Sequence, residues 1–448
     1  MKKLFGTDGM RGKAGDFPLD ENTIGIVGKS LARIFKERLG RNARFVIGRD
    51  TRESGKWIEN AFYTGAVSGS AVCESAGIIT TPGLAFIAKH FDFDAGIVVS
   101  ASHNPFEDNG IKIFLPDGKK SDEATEKEIE KEIYESGKWK VESAEFELDT
   151  FKSSEYQNAY LDYLANGFPN LSLKNFRMVV DCANGAASEL APKLFESFGA
   201  EVVVINDQPD GKNINHNCGS LHLEKLQEKV LDEKADFGVA FDGDADRSLF
   251  VDEQGNLVDG DATLWIMAQY LHEHGRLKNN TVVATVMSNL GLELALESKN
   301  IKLTRTAVGD KYVLQELLKS NSSIGGEQSG HIIFPQTSLV GDGMKTTLFM
   351  LEAIHEKNKT FSEMTEGFTR YPQILVNVRV AEKRPFEEVA EIVSASRDLE
   401  TTLDGRGRLL LRYSGTENLA RVMIEGENQS EIETQANTLA AIIQKSLS

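Results

Sequence analysis

The sequence predicts an α/β protein of several domains, and three observations support this fold class. Its 448 residues, at about 150 residues per domain, correspond to roughly three domains. Short apolar segments rich in Val, Ile and Phe alternate with helical periodicity along the whole chain, as in sheets with crossover helices. The composition, 40% hydrophobic and 26% charged, excludes disordered, collagen-like and disulfide-stapled chains.

The individual elements follow from local patterns. A first helix is expected from about Asp20 to Leu39, where Gly40 supplies a stop. The charged segment 118–150 carries acids and bases at helical spacing and predicts an exposed helix followed by a linker. Buried strands are expected at 43–48, 95–100, 177–181, 201–205, 237–241 and 281–286.

Four domains describe these elements better than three. We place them at 1–155, 156–256, 257–368 and 369–448. The first three are α/β and of similar length, which indicates a duplicated module. The last has the pattern of a smaller α+β domain.

Charge and cysteine content exclude several function classes. The net charge of −18 argues against a broad nucleic-acid or anionic-membrane surface, but leaves room for a local basic pocket that binds a small phosphorylated ligand. The cysteines, Cys73, Cys182 and Cys218, form no CxxC pair, so neither a disulfide framework nor a thiolate zinc site is supported. With neither a signal peptide nor a membrane-length apolar segment, we expect a cytoplasmic protein.

The strongest chemical motif is DGDADR at 242–247, directly after an apolar strand. Asp242, Asp244 and Asp246 repel one another unless they converge on a hard divalent cation. The spacing is similar to that of an EF-hand calcium loop, but Arg247 stands where that loop needs glycine and the flanking segments are strands. A magnesium site with open coordination positions is therefore favoured over a solvated acidic turn.

A hydroxyl group in the segment SASHNP, 100–105, is a candidate for covalent chemistry. Ser102 follows a buried strand, and strand ends are where ligands bind in open α/β sheets. Ser102 could be a nucleophile, or it could cap the following turn. A serine hydrolase is disfavoured because the chain lacks a GxSxG elbow. From the residues alone, both interpretations stay open.

Two glycine-containing loops are candidates for phosphate binding. Hydroxyls, exposed backbone N–H groups and a guanidinium suit a phosphate dianion, although a simple turn with a surface arginine is about as common. Without a Walker A or GxGxxG pattern, the loops do not predict a nucleotide fold. The first loop, 5–12, contains Arg11, and the second offers Arg412, Ser414, Gly415 and Thr416, followed by Arg421.

The segment GEQSGH, 326–331, contains Glu327, Ser329 and His331 at alternate positions. These side chains can exchange hydrogen bonds with sugar hydroxyls, with the imidazole near a charged group. The alternative is a polar strand end or hairpin without a ligand.

The order of these motifs identifies a resemblance that covers most of the chain. FGTDGMRG, TTPG, SASHNP, NGIKIF, DGDADR, GEQSGH and RYSGTEN extend from Phe5 to Arg421. Together they resemble the α-D-phosphohexomutase superfamily, and Gln328 within GEQSGH resembles its glucosamine branch. The resemblance implies three related α/β domains with mixed sheets and crossover helices plus a smaller C-terminal α+β domain, around a central cleft.

The resemblance also implies roles for the candidate residues. Ser102 would carry a phosphoryl group and join Asp242, Asp244 and Asp246 as magnesium ligands. Glu327 and Ser329 would contact sugar hydroxyls, and Lys112 would move the hydroxyl proton, with Arg247 as an electrostatic partner. Arg11 and His331 would line the reacting end, while the idle phosphate would be held by Arg412, Ser414, Gly415, Thr416 and Arg421.

The implied activity is the interconversion of glucosamine 6-phosphate and glucosamine 1-phosphate, for the biosynthesis of amino-sugar nucleotides used as cell-wall precursors. Its expected cofactors are Mg²⁺, phosphorylation of Ser102, and glucosamine 1,6-bisphosphate (or glucose 1,6-bisphosphate) as intermediate and activator. The expected partners are a small hexosamine phosphate and a second copy of the chain in a homodimer, with neither nucleic acid nor membrane. The alternatives are a phosphoglucomutase or phosphomannomutase, a magnesium-dependent phosphatase and a non-catalytic sugar-phosphate sensor.

Overall fold

The computed structural model describes residues 3–135, 148, 150–414 and 418–447, in which strands and helices alternate. The strands are β1 Phe5–Gly6, β2 Gly9–Lys13, β3 Arg44–Arg49, β4 Val72–Ile78, β5 Ala95–Val99, β6 Asp108–Phe114, β7 Arg177–Asp181, β8 Glu201–Ile205, β9 Phe237–Phe241, β10 Ser248–Asp252, β11 Leu257–Val258, β12 Thr281–Thr285, β13 Lys302–Thr306, β14 Ile324–Gly326, β15 Ile332–Ile333, β16 Gln373–Arg379, β17 Gly407–Tyr413 and β18 Leu419–Gly426. The α-helices are α1 Glu21–Leu39, α2 Gly55–Ser68, α3 Thr81–His90, α4 Glu123–Glu135, α5 Ser153–Asn166, α6 Leu190–Ser197, α7 Glu224–Glu233, α8 Gly260–Glu273, α9 Leu290–Ser298, α10 Asp310–Ser320, α11 Gly343–Lys357, α12 Phe361–Met364, α13 Ala390–Leu403 and α14 Gln429–Leu447.

The chain divides into two compact units. The first comprises residues 1–285 and 306–366. It contains a six-stranded sheet in the order β1-β2-β6-β5-β3-β4, a five-stranded sheet in the order β11-β10-β9-β7-β8, and the neighbouring strands β12, β14 and β15. The second unit comprises 286–305 and 367–448 and contains the antiparallel sheet β16-β18-β17.

The predicted α/β fold class is confirmed, with mixed sheets. In the first sheet β3 is parallel to β4 and β5, whereas β6 is antiparallel to β5 and β2. All five residues of β5 and of β9 are buried, as expected for strands covered on both faces by helices. The domain limits given above remain predictions.

The strand ends place the candidate motifs. Ser102 follows β5, the aspartate motif 242–247 joins β9 to the antiparallel β10, and Glu327 follows β14. The backbone N–H of Thr81, at the start of α3, donates to the carbonyl of Asp244 at 3.0 Å. This bond ties the first sheet's helical layer to the aspartate motif.

The first helix begins and ends as its sequence predicts. Asp20 caps it by accepting from the N–H of Thr23, and Gly40 ends it in the left-handed conformation. Helix α1 contacts α2 backbone to backbone, because a Cβ added at Gly65 would lie 1.9 Å from the carbonyl oxygen of Gly25. Only glycine leaves room for this crossing.

The charged segment after residue 118 is less exposed than predicted. Helix α4 buries Ile129 and Ile133 against the core that contains α1. Glu132 accepts hydrogen bonds from Ser30 and Arg33 of α1. The apolar stripe of α4 is formed by residues spaced four apart, which lie among charged residues in the sequence. In the segment 118–150, where a linker was expected after the helix, residues 136–147 and 149 lie outside the described residues.

None of the described helices combines the length and apolar character that crossing a membrane requires.

Candidate active site

The loop after β5 presents Ser102 in a fixed conformation. Ser102 is 1% exposed and has a left-handed φ of 54°, which a non-glycine residue adopts only when its surroundings impose it. The buried Arg52 donates to the carbonyl oxygens of Ser102 and Asn104 at 3.1 and 2.6 Å. Asn215 donates to the same two oxygens at 2.9 and 3.1 Å. Two side chains distant in sequence therefore hold this loop.

The structure brings the three predicted metal ligands together beside Ser102. One carboxylate oxygen each from Asp242, Asp244 and Asp246 lies within 4.8 Å of the others. All three side chains are buried, and the hydroxyl of Ser102 donates to Asp242. Burial and the charges of Asp246 and Asp244 raise the pKa of Asp242 well above its usual value. The three carboxylates therefore concentrate negative charge in a buried place.

The donor set fits a divalent cation. In the part of the chain that the structure describes, Oδ1 of Asp244 and Oδ1 of Asp246 are buried and have no hydrogen-bond partner. Such oxygens are costly unless an ion or donor satisfies them. Carboxylate oxygens and one hydroxyl oxygen are the hard ligands that Mg²⁺ prefers. One such ion could thus be bound jointly by Asp242, Asp244, Asp246 and Ser102.

Lys112 lies in β6, fully buried among carboxylates. Its Nζ is 2.7 Å from Asp244 Oδ2, 3.3 Å from Asp246 Oδ2 and 3.1 Å from Asp8 Oδ2. Burial opposes its charge, but these carboxylates raise the pKa of Lys112 above its usual value. Lys112 is therefore an ammonium that neutralises part of the aspartate cluster.

Lys112 belongs to a ring of alternating charges that sequence analysis missed. Lys120 donates to both Asp8 and Asp310, so that it joins the first motif of the chain to the start of α10. The Nε2 atom of His331 is 3.9 Å from Asp310 Oδ2 and 4.0 Å from Asp246 Oδ2. The ring runs through Lys112, Asp8, Lys120, Asp310, His331 and Asp246.

A cavity of about 410 Å³ opens over this ring. The structure brings the predicted residues Arg11, Arg247, Glu327 and His331 to its wall. Ser102 and Lys112 are fully buried nearby, whereas Ser329 is half-buried and does not line the cavity in the described part of the chain.

Cationic groups stand close to the aspartates at this cavity. The backbone N–H of Arg247 donates to Asp242 Oδ1 at 3.2 Å, and Asp242 and Asp246 raise the pKa of its guanidinium against the effect of burial. Arg11 donates to the carbonyl of Ala101 at 3.1 Å. A phosphoryl group at Ser102 would therefore meet positive charge.

His103, the next residue in the chain, faces the hydroxyl of Ser102. Its Nδ1 is 3.4 Å from Ser102 Oγ. Burial, with the charges of Arg247 and Arg11, lowers the pKa of His103 to about 4. The imidazole is neutral at neutral pH and adds no charge to the site.

The second compact unit contains the predicted phosphate loop, of which Gly415 and Thr416 lie outside the described residues. Arg412 of β17 and Arg421 of β18 are opposite each other in the sheet. Burial and the charge of Arg421 lower the pKa of Arg412. The Nε atom of each arginine is buried and has no hydrogen-bond partner among the described residues. Lys383, which sequence analysis missed, donates to the carbonyl of Ser414 at 2.7 Å. Two adjacent guanidinium groups are the kind of donors that an anion requires, so the phosphate site remains a prediction.

Family models match four consecutive segments of the chain. Three are the α/β/α domains I, II and III of phosphoglucomutase/phosphomannomutase, over residues 2–139, 158–255 and 259–371. The fourth is the C-terminal domain of the same family, over residues 375–442. These matches agree with the expected series of three α/β domains and one C-terminal domain.

Relatives and solved structures extend over the full length. A phosphoglucosamine mutase of Caldicellulosiruptor saccharolyticus is 48% identical, with 100% of both chains covered. One from Solibacter usitatus is 45% identical over 100% of this chain and 99% of the relative.

The fold is similar to that of solved mutases. A phosphoglucomutase/phosphomannomutase family protein of Burkholderia thailandensis has a TM-score of 0.80 at 22% identity, over 99% of this chain and 97% of that one. The N-acetylphosphoglucosamine mutase of Aspergillus fumigatus, solved with GlcNAc-6P and magnesium, has a TM-score of 0.70 at 20% identity, over 99% and 96%.

Proposed function

The chain belongs to the phosphoglucomutase/phosphomannomutase family, on its phosphoglucosamine mutase branch, and from this premise we propose how its residues interconvert glucosamine 6-phosphate and glucosamine 1-phosphate. It is an isomerase. The observation that carries the proposed mechanism is the buried oxygen of Ser102 in contact with the three-aspartate cluster.

Ser102 carries the phosphoryl group in this proposal. The bond between phosphorus and Ser102 Oγ breaks, and a bond from phosphorus to the free hydroxyl oxygen of the sugar forms. The resulting 1,6-bisphosphate turns end for end, and its other phosphoryl group returns to Ser102. Glucosamine 1,6-bisphosphate, or glucose 1,6-bisphosphate, would therefore also activate a chain that has lost its phosphoryl group.

The side chains around Ser102 have distinct roles. Mg²⁺, held by Asp242, Asp244, Asp246 and Ser102, would supply positive charge to the phosphoryl oxygens. Arg11 and Arg247 neutralise the remaining charge at the cavity wall, and His331 lies beside Asp246 at the reacting end. Neighbouring carboxylates raise the pKa of Lys112, so it starts as an ammonium. Lys112 donates a proton to the Ser102 oxygen as its bond to phosphorus breaks, and it takes up the proton that the attacking sugar hydroxyl loses.

The remaining candidates bind the sugar and the phosphate that is not reacting. Glu327 and Ser329 contact the sugar hydroxyls. The paired guanidinium groups of the second unit support a phosphate site, formed by Arg412, Ser414, Gly415, Thr416 and Arg421. We also propose a cytoplasmic location and a homodimer; the unpaired cysteines support a reducing compartment.

The test is phosphoryl transfer by the Ser102→Ala variant. Incubated with Mg²⁺ and glucose 1,6-bisphosphate, the wild type should gain the mass of one phosphoryl group and catalyse the interconversion, and the variant should do neither. Ser68→Ala, which alters an exposed serine in α2, is the matched control and should behave as the wild type. Normal turnover by Ser102→Ala would contradict the mechanism.

A further inference from the structure

The wall of the cavity has two neighbouring carboxylates, each with one oxygen already engaged. Glu327 Oε1 accepts from the N–H of Gly309 at 3.0 Å. The next residue, Asp310, begins α10, and its Oδ2 accepts from Lys120. Among the described residues, no hydrogen-bond donor reaches Asp310 Oδ1 or Glu327 Oε2, and both side chains line the cavity. Each carboxylate can still accept from a ligand.

Asp310 stands at the reacting end of this cavity. Its Oδ2 is 3.9 Å from His331 Nε2, which in turn is 4.0 Å from Asp246 Oδ2. One imidazole thus separates Asp310 from the aspartate cluster beside Ser102. A sugar whose reacting oxygen is at Ser102 could therefore present a group on the neighbouring carbon to Asp310.

In the ring of charges, fewer lysine and arginine side chains pair with Asp310 than with Asp8. Asp8 is paired with Lys112, Lys120 and Arg11. Asp310 shares Lys120 with Asp8 and has no other lysine or arginine within ion-pair distance in the described part of the chain. The ammonium group of a ligand would neutralise the remaining negative charge of Asp310, whereas a hydroxyl group would not.

In glucosamine 1-phosphate, the amino group is on C2, directly beside the C1 oxygen that carries the phosphate. Building on the function proposed above, we propose that Asp310 binds the amino group of the substrate when this oxygen is at Ser102. Asp310 then distinguishes amino sugars from neutral hexoses, whereas Glu327 contacts hydroxyls that both substrates share.

The test is the ratio of kcat/KM for glucosamine 1-phosphate to kcat/KM for glucose 1-phosphate. Asp310→Asn keeps the shape and removes the charge, and should lower this ratio about tenfold, the difference between a charged and a neutral hydrogen bond. Asp310→Glu keeps the charge and should retain more of the ratio than Asp310→Asn.

Lys120→Met separates substrate binding from structural support. It removes the ammonium that joins Asp8 to Asp310 but keeps the Asp310 carboxylate, so it should lower kcat/KM for both substrates without lowering their ratio. An unchanged ratio in Asp310→Asn, or an equal fall of the ratio in Lys120→Met, would overturn the inference. If the wild type fails to interconvert glucosamine phosphates, the proposed function fails first and the inference with it.

Discussion

Replacing the buried Arg52 should reveal what holds the Ser102 loop. The Arg52 side chain is 0% exposed and pairs with Asp50, which is equally buried. It also donates to the carbonyls of Ser102 and Asn104. We expect Arg52→Met to destabilise the first unit and to lower kcat, because Ser102 would lose part of the support for its left-handed backbone.

The contacts determine the size of the effect. Removing one partner of a buried ion pair costs about 3 to 5 kcal/mol, because the other charge stays buried. The two loop carbonyls add little to this loss, since each keeps its hydrogen bond from Asn215. The free energy of unfolding should therefore fall by about 3 to 5 kcal/mol. Asp50→Asn combined with Arg52→Met should recover a large part of it.

Urea unfolding followed by circular dichroism, together with the mutase assay, measures both effects. The control is Arg38→Met, because Arg38 is 43% exposed and lies 3.9 Å from each of Asp122 and Glu128. Pairs of this kind contribute about 1 kcal/mol or less. Equal losses in the two variants, or full kcat in Arg52→Met, would refute the reasoning.

Three further predictions concern stability and the metal. Burial lowers the pKa of Lys345 from 10.5 to about 8. Between these two pH values the unfolded chain therefore binds more protons than the folded chain. The free energy of unfolding of the wild type, relative to that of Lys345→Met, should rise with pH across this window by up to about 3 kcal/mol. An unchanged difference between pH 8 and pH 10.5 would contradict that burial. Gly65→Ala should lower the free energy of unfolding by about 2 kcal/mol or more, because the added Cβ meets the Gly25 carbonyl. Gly118→Ala, in open space at φ 84°, should lower it by about 1 kcal/mol. Similar thermal midpoints for the two variants would refute this difference. Chelation should abolish turnover and added Mg²⁺ should restore it, and Asp244→Asn should raise the Mg²⁺ concentration needed; activity that persists in chelator would exclude the metal role.

Much of the fold could be predicted from local patterns. The apolar run 237–241 followed by alternating carboxylates indicates a strand that ends in a metal-binding turn, and β9 and the aspartate cluster are found there. Helix α1 was predictable because Asp20 and Gly40 stop it at both ends. Such signals are contained within a few residues and need no knowledge of distant contacts.

The ring of charges could not be predicted in the same way. Lys120 meets Asp310, which is 190 residues away in sequence, and neither residue has neighbours that mark it as buried. Charged residues are usually exposed, so Arg52, Lys120 and Asp310 carry no local sign of their role. Asp8 differs from these residues, because it lies inside the FGTDGMRG motif, between Thr7 and Arg11, and that motif does indicate a site. The spacing of Ile129 and Ile133 also carried a usable signal for the buried face of α4.

The ammonium of Lys112 has a consequence for how the protein matures. Three clustered carboxylates would normally resist being brought together, but Lys112 provides a resident counter-ion at 2.7 and 3.3 Å from two of them. A newly synthesised chain can therefore complete its first compact unit before it encounters any cation. We expect the metal to bind reversibly after folding, so that protein from which the metal has been removed can bind it again without being unfolded.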